Sequence, residues 1–290
     1  WDFSIGRKLF FEKMTIYSSE SIYRLGIKNI IGMMFSDFRK GKELVWRLFL
    51  RDFTSRHKQS ILGWLWIVLM PLMTMGTFLL LNMSGIIKIG RIDIPYPIFG
   101  LVSFSIWNIF SNGLVTTTNS VTGAGGLVQK INFSKDSLVF ASFGQVVIDF
   151  LIRMGLTFGI FLLYRKMPPL NFFLFPVVLL PLAFLTLGVG MITSLLQAIS
   201  KDIVSFVNLG TGFLLLLMPI MYSADQAGVL GKLNSVNPLY YLVIVPRDIM
   251  LYGEVRHLTG FILSGILGFF VFIFGWMFFY LSQTKLAERI

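Results

Sequence analysis

Residues 59–87 read QSILGWLWIVLMPLMTMGTFLLLNMSGII, a run without a single charged side chain. Water tolerates no such surface on a soluble domain, and a helix needs about 20 apolar residues to cross the hydrocarbon core of a bilayer. Working outward, the same absence of charge recurs from Ile94 to Gln129, Met167 to Ser200, Ile203 to Ala224 and Leu258 to Thr284. Ser137 to Tyr164 is apolar apart from Asp149 and Arg153. Six candidate spans follow, at 61–83, 95–120, 137–164, 171–198, 203–223 and 258–281. Bulk composition agrees: 55% of the residues are apolar and 13% charged, where a soluble domain carries about a quarter. Mean hydropathy is +0.77. The fold class is therefore an all-α polytopic membrane protein with six transmembrane helices. Residues 1–60 are expected to form a cytoplasmic tail ending in an interfacial helix, and 61–290 the six-span transmembrane domain.

Without cysteine there is no disulfide, thiolate metal site or cysteine nucleophile. The two histidines, His57 and His257, lie far apart, so no metal site is expected. Net charge is +11, and residues 1–60 hold 12 of the 25 Lys+Arg. A basic tail ahead of apolar spans fits a segment facing anionic lipid better than a nucleic-acid binder. The first long apolar stretch begins near residue 61, and no signal peptide is expected before it. With six spans both termini share one side. Placing them in the cytoplasm puts 17 Lys+Arg inside and 7 outside, the distribution that the positive-inside rule favours, and the tail decides it.

Two non-spanning segments are informative. From Lys40 to Ser60, Val45, Leu48, Phe49 and Phe53 recur at helical spacing on one face, while Lys40, Glu43, Arg47, Arg51 and Lys58 fall on another. That is an amphipathic helix lying in the membrane interface. Between Asp225 and His257, the apolar stretch Val236–Val245 is too short to cross, and Asn237-Pro238 and Pro246-Arg247 are expected to break it. Broken helices at membrane depth survive only against protein or water, so this is read as a re-entrant hairpin on the outer side between spans five and six.

Catalytic signals are missing. Gly41-Lys42 and Gly231-Lys232 lack the rest of a GxxxxGK[ST] phosphate loop, so the chain is not expected to hydrolyse ATP. No GxSxG elbow, HExxH pair or HxxxxD motif occurs. Asp149 and Arg153, four residues apart on one helix, either neutralise each other or take part in conduction. Trp64, Trp66 and Trp107 either line a glycan channel or belong to core and interfacial belts. Gly155-x-x-x-Gly159 and Gly260-x-x-x-Ser264-x-x-x-Gly268 are small-residue stripes suited to close helix packing.

The run Arg51-Asp52-Phe53-Thr54-Ser55-Arg56-His57-Lys58-Gln59-Ser60-Ile61-Leu62-Gly63-Trp64-Leu65-Trp66, closing at Met70-Pro71-Leu72, resembles the entry to the first span in polysaccharide-export ABC permeases: the membrane subunits of O-antigen, capsule and teichoic-acid exporters. His57 stands where that family commonly has an aromatic residue. Three further segments fit in order. Val128–Lys135 resembles the cytoplasmic loop after span two, although Ser134-Lys135 replaces the frequent Pro-Arg. Lys201-Asp202-Ile203 resembles the Arg-Asp-Ile before span five, and Asn237-Pro238 with Arg247 resembles the outer hairpin. The resemblance implies a homodimeric permease in the bacterial inner membrane. Each subunit would dock a separate nucleotide-binding ATPase that holds the ATP and magnesium; this chain would carry no cofactor. Leu127, Val128, Gln129, Lys130, Ile131, Phe133, Lys201 and Asp202 would meet that ATPase. The substrate would be a lipid-linked polysaccharide passing between two subunits, and the partners would include membrane lipids but no nucleic acid. Arg47, Arg51, Arg56 and Lys58 would meet either the carrier diphosphate or ordinary headgroups. Two alternatives are a permease of similar build for a drug or another lipid, and a membrane-bound glycan-modifying enzyme. The second would need a catalytic constellation that the sequence does not offer.

Overall fold

The structure, a computed structural model, describes residues 27–58, 65–86, 89–90, 92–124, 126, 133–223 and 229–286. Among them every regular element is helical. The helices are α1 (Ile27–Lys58), α2 (Leu65–Met83), α3 (Tyr96–Thr118), α4 (Asp136–Leu163), α5 (Phe175–Ile199), α6 (Ile203–Leu217), α7 (Val229–Val236), α8 (Pro238–Tyr252) and α9 (Leu258–Leu286). By length and composition four stretches can cross a membrane: Tyr96–Thr118, Asp136–Leu163, Leu170–Ile199 and Leu258–Gln283. Val68–Met83 and Ile203–Leu217, in expected spans one and five, are shorter apolar helices.

Alternation of the helices gives the bundle two ends. The α3–α4 and α5–α6 connections lie at one, with the C-terminal part of α9. The α2–α3 and α4–α5 connections and residues 218–223 and 229–257 lie at the other. There, Ser223 N–H donates to the Ile89 carbonyl at 2.7 Å and the Asn171 amide donates to the Gly253 carbonyl. At the centre α5 and α9 approach closely. A Cβ placed on Gly188 would sit 2.6 Å from the backbone of Phe272, so only glycine permits this crossing.

Four features depart from the sequence reading. First, α1 starts at Ile27, ahead of Lys40, because Ile30, Met34 and Phe38 extend the apolar stripe and pack on the main core. Second, α6 stops at Leu217 rather than 223. Pro219 disfavours helical backbone at Met218, which is extended (ψ 142°). Third, Pro246 does not break α8, which runs unbroken to Tyr252 with Pro246 inside it. A proline is tolerated in a membrane helix packed among other helices, and α8 is buried along almost its whole length. Fourth, Gly155 and Gly159 face open space within the chain, whereas Gly260 meets the Tyr241 ring and Gly268 meets Pro181. Asn237-Pro238 does interrupt the backbone as expected. The Asn237 side chain accepts from Leu239 N–H at 3.0 Å, Pro238 opens α8, and Gly253 closes it in the left-handed conformation (φ 72°).

Candidate functional site

The stretch following α6 contains buried backbone without helical partners. A helix terminus leaves its last carbonyls unserved, and Met218, Ile220 and Met221 are fully buried. Four carbonyls, of Leu216, Leu217, Pro219 and Met221, find side-chain donors, and the Met218 carbonyl accepts from Ile220 N–H at 2.7 Å. The Tyr222 hydroxyl donates to Leu216 and Leu217 (3.2 and 3.0 Å), and the Asn234 amide to Leu217 (3.1 Å). Arg247 Nη1 donates to Pro219 (2.9 Å), and the Tyr96 hydroxyl to Met221 (3.0 Å). Arg247, 3% exposed, also directs Nε and Nη2 at Asp248 Oδ1 (3.0 and 2.9 Å) and lies 5.0 Å from the centroid of the Phe99 ring. A buried guanidinium is costly unless its donors are satisfied; here a carboxylate, a carbonyl and a ring face all meet it. Beside the pair opens a polar cavity of about 270 Å3, bounded by α3, α8 and the α8–α9 connection.

At the opposite end, a second polar cluster fixes the exit of the α3–α4 connection. Trp276 Nε1 donates to Asp136 Oδ2 at 2.9 Å, the Tyr280 hydroxyl donates to Asp37 Oδ2 at 2.6 Å, and Lys135 N–H donates to Gln283 Oε1 at 2.9 Å. Trp276, Tyr280 and Gln283 share one face of α9 because they are spaced four and three residues apart. The start of α4 and the middle of α1 are thereby both bonded to the last helix. Phe35, Phe38, Phe140 and Phe272 surround Trp276 with centroids 5.1–5.8 Å away. Burial pulls the Lys135 ammonium below its usual pKa.

Along α4, Gln145, Asp149, Arg153 and Thr157 form a buried stripe at four-residue spacing. The Gln145 amide donates to the Phe49 carbonyl at 2.8 Å, hooking α1 onto α4. Arg153 Nε has no hydrogen-bond partner.

On α1, Leu48 and Phe49 are buried with Ala124, Leu138 and Ala141, and Val45 and Phe53 pack against them. Arg47 pairs with Glu43 and Arg51 with Asp52 on the outer face; pairs this exposed contribute little stability. Arg56 and Lys58 close the helix.

Of the expected ATPase-contacting residues, Leu127, Val128, Gln129, Lys130 and Ile131 lie outside the described residues, as does Trp64. Phe133 is half-buried against the Leu48–Phe49 cluster. Lys201 and Asp202 are exposed at the same end, where the Gln197 side chain bridges the Lys201 carbonyl and Val204 N–H. Trp66 is on the surface, and Trp107 is buried beside Phe110. Asn237, Pro238 and Arg247 converge on the α6–α8 assembly. The sequence reading missed Asp136, Trp276, Tyr280 and Asp248. Asp248 was the findable one, since it adjoins Arg247 in an otherwise apolar run.

Comparison with known proteins adds a family. A family model described as "ABC-2 type transporter" matches residues 43–251. An O-antigen export system permease protein RfbA of Klebsiella pneumoniae is 23% identical over 232 residues, covering 77% of this chain and 88% of the relative. The protein of the same name from Myxococcus xanthus is 24% identical over 197 residues, covering 67% of this chain and 74% of its own length.

Proposed function

Since this chain belongs to the ABC-2 type transporter family, we propose that it is the permease subunit of an exporter that moves a lipid-linked polysaccharide across the bacterial cytoplasmic membrane. The match over residues 43–251, joined to alignment with O-antigen permeases over most of their length, carries this reading. ATP and magnesium are bound by a separate ATPase subunit, because the sequence has no phosphate loop. Two copies of the permease assemble, with the glycan passing between them. Six membrane crossings are completed by α2 and α6, and α7–α8 form the re-entrant hairpin. Both termini are cytoplasmic, which makes the Asp136 end the cytoplasmic one and the Arg247 end the outer one. At the cytoplasmic end the loop 125–132 meets the ATPase, and its displacement reaches α9 through Lys135, Asp136 and Trp276. The charged face of α1, carrying Arg47 and Arg51, lies in the headgroup layer.

Deleting the gene in its native host tests the reading. Surface polysaccharide should disappear while lipid-linked glycan accumulates on the cytoplasmic side, and the purified permease should bring down an ATPase. Undiminished surface polysaccharide in the deletion strain would reject the proposal. Reporter fusions at Lys130, Lys201 and Ile290 should report cytoplasm, and those at Lys88, Lys166 and Lys232 the outside; inversion of this pattern overturns the orientation.

A further inference from the structure

We propose that the cavity beside Arg247 is a binding site for one neutral sugar unit of the exported glycan, engaged at the outer end of the bundle; this rests on the export reading above. The cavity has the size for a single small polar ligand, about 270 Å3, and its walls are built from side chains that chemistry can read. Asp93, Asp248 and Glu254 supply carboxylates, Arg247 and Arg256 guanidiniums, and Tyr240 and Tyr252 ring faces with hydroxyls.

Charge accounting argues against an anionic ligand. Arg247 is paired with Asp248 and Arg256 with Glu254, each at 2.9 Å, leaving Asp93 as the net charge of these five groups. A phosphate or uronate would meet a negative balance with both guanidinium charges already neutralised, although N–H donors remain on them. A metal ion would need three converging ligands, and no such group occurs among the described residues. A neutral molecule whose groups both donate and accept suits this mixed lining. A sugar hydroxyl does this: it donates to a carboxylate oxygen and accepts from a guanidinium or phenol, and here both kinds of partner stand side by side. The apolar C–H face of a sugar ring suits an aromatic wall. Arg256 lies 5.8 Å from the Tyr252 centroid, which holds that ring at the cavity edge. His257, left-handed at φ 60°, keeps its ring 6.3 Å from Tyr240 and 6.1 Å from Tyr241. Tyr240 and His257 also line an adjoining cavity of about 140 Å3, which gives the next unit of a chain somewhere to continue. The polar floor is rigid because Arg247 and Asp248 are both buried and bonded to each other.

Saturation-transfer NMR on the full-length permease with its ATPase in lipid nanodiscs tests the site. The probes are galactose, mannose, rhamnose, N-acetylglucosamine, an oligosaccharide from the host's own surface glycan, glucuronate and inorganic phosphate. Transfer is expected to at least one neutral probe. Asp93→Ala and Tyr252→Ala should reduce it at least fivefold, with thermal midpoint unchanged, while Trp46→Ala on distant α1 should not. Transfer to none of the neutral probes, a preference for glucuronate or phosphate, or undiminished transfer in both cavity variants overturns the site. Export is scored separately in the same strains. A deletion strain that loses surface glycan while the protein shows no sugar transfer sinks the site alone, and a deletion strain that keeps its surface glycan sinks the export reading.

Discussion

Arg247 Nη1 donates to the carbonyl of Pro219 at 2.9 Å, so the side chain of α8 serves the backbone that α6 abandons. The same guanidinium neutralises Asp248. Substituting Arg247 with Met removes both functions and leaves a buried carboxylate and a buried carbonyl without their donor. Breaking one side of a buried ion pair costs about 3–5 kcal/mol, enough to abolish most folded protein. Arg247→Met should therefore aggregate on size-exclusion chromatography, while the double variant Arg247→Met, Asp248→Leu should recover much of the yield because no lone charge is left. A single variant as monodisperse and thermostable as wild type would refute this role.

Trp276→Phe tests the opposite end. It keeps the ring among its four phenylalanine neighbours but deletes the N–H that reaches Asp136. Losing a donor to a buried group costs about 1–3 kcal/mol, read as a lowered thermal midpoint in detergent. Combined with Asp136→Ala, which removes the acceptor that Asn would keep, the losses should be non-additive, since the two residues share one bond. Simple additivity would show that the contact contributes nothing.

Two glycines make opposite predictions. At Gly188 a new methyl would collide with the Phe272 backbone at 2.6 Å, and overpacking a close helix crossing costs about 1–3 kcal/mol. Gly155 has nothing within 4 Å, so Ala there should be neutral or stabilising, by up to about 1 kcal/mol of helix propensity. Thermal midpoints of the two variants in the same detergent decide it; Gly188→Ala matching Gly155→Ala would show that α5 and α9 do not touch there.

Four helices long and apolar enough to span were legible because hydropathy needs only the local sequence, and the face of α1 that buries Leu48 and Phe49 was legible because 3.6-residue periodicity does too. Arg51–Trp66 carried the family for a different reason, as a motif. What stayed hidden depends on distant partners. Nothing near Trp276 in sequence announces Asp136, 140 residues away. Nothing in Gly155-x-x-x-Gly159 says that this face of α4 is left open while Gly188 and Gly275 make the close crossing instead. Pro246 misled because proline is a helix breaker in water, whereas a buried helix packed on three others holds its course. The cavity beside Arg247 combines Asp93 with residues from 240 to 257, a set that only the fold brings together.

Leu127 and Ile131 fall in sequence between α3 and α4, in a connection whose described end is fixed by Lys135, Asp136 and α9. A loop that transmits force needs an apolar anchor at one end and a rigid mounting at the other. Phe133 packing against the Leu48–Phe49 cluster, with the Trp276 bond just beyond, supplies the mounting. On the function proposed above the anchor is the contact with the ATPase, and Leu127→Asp with Ile131→Asp would place two charges in it. A charge left unpaired in an apolar interface costs about 3–5 kcal/mol, and every 1.4 kcal/mol is about tenfold in affinity, so binding should fall by at least two orders of magnitude. On that reading the variant should insert normally but lose its ATPase on affinity purification and lose glycan export. Trp276→Phe should separate the two ends of the device, retaining the ATPase while export falls. ATPase recovered at wild-type stoichiometry with the double aspartate variant, together with normal export, would place the coupling elsewhere, and Lys201 and Asp202 on the neighbouring connection would be the next residues to charge-reverse.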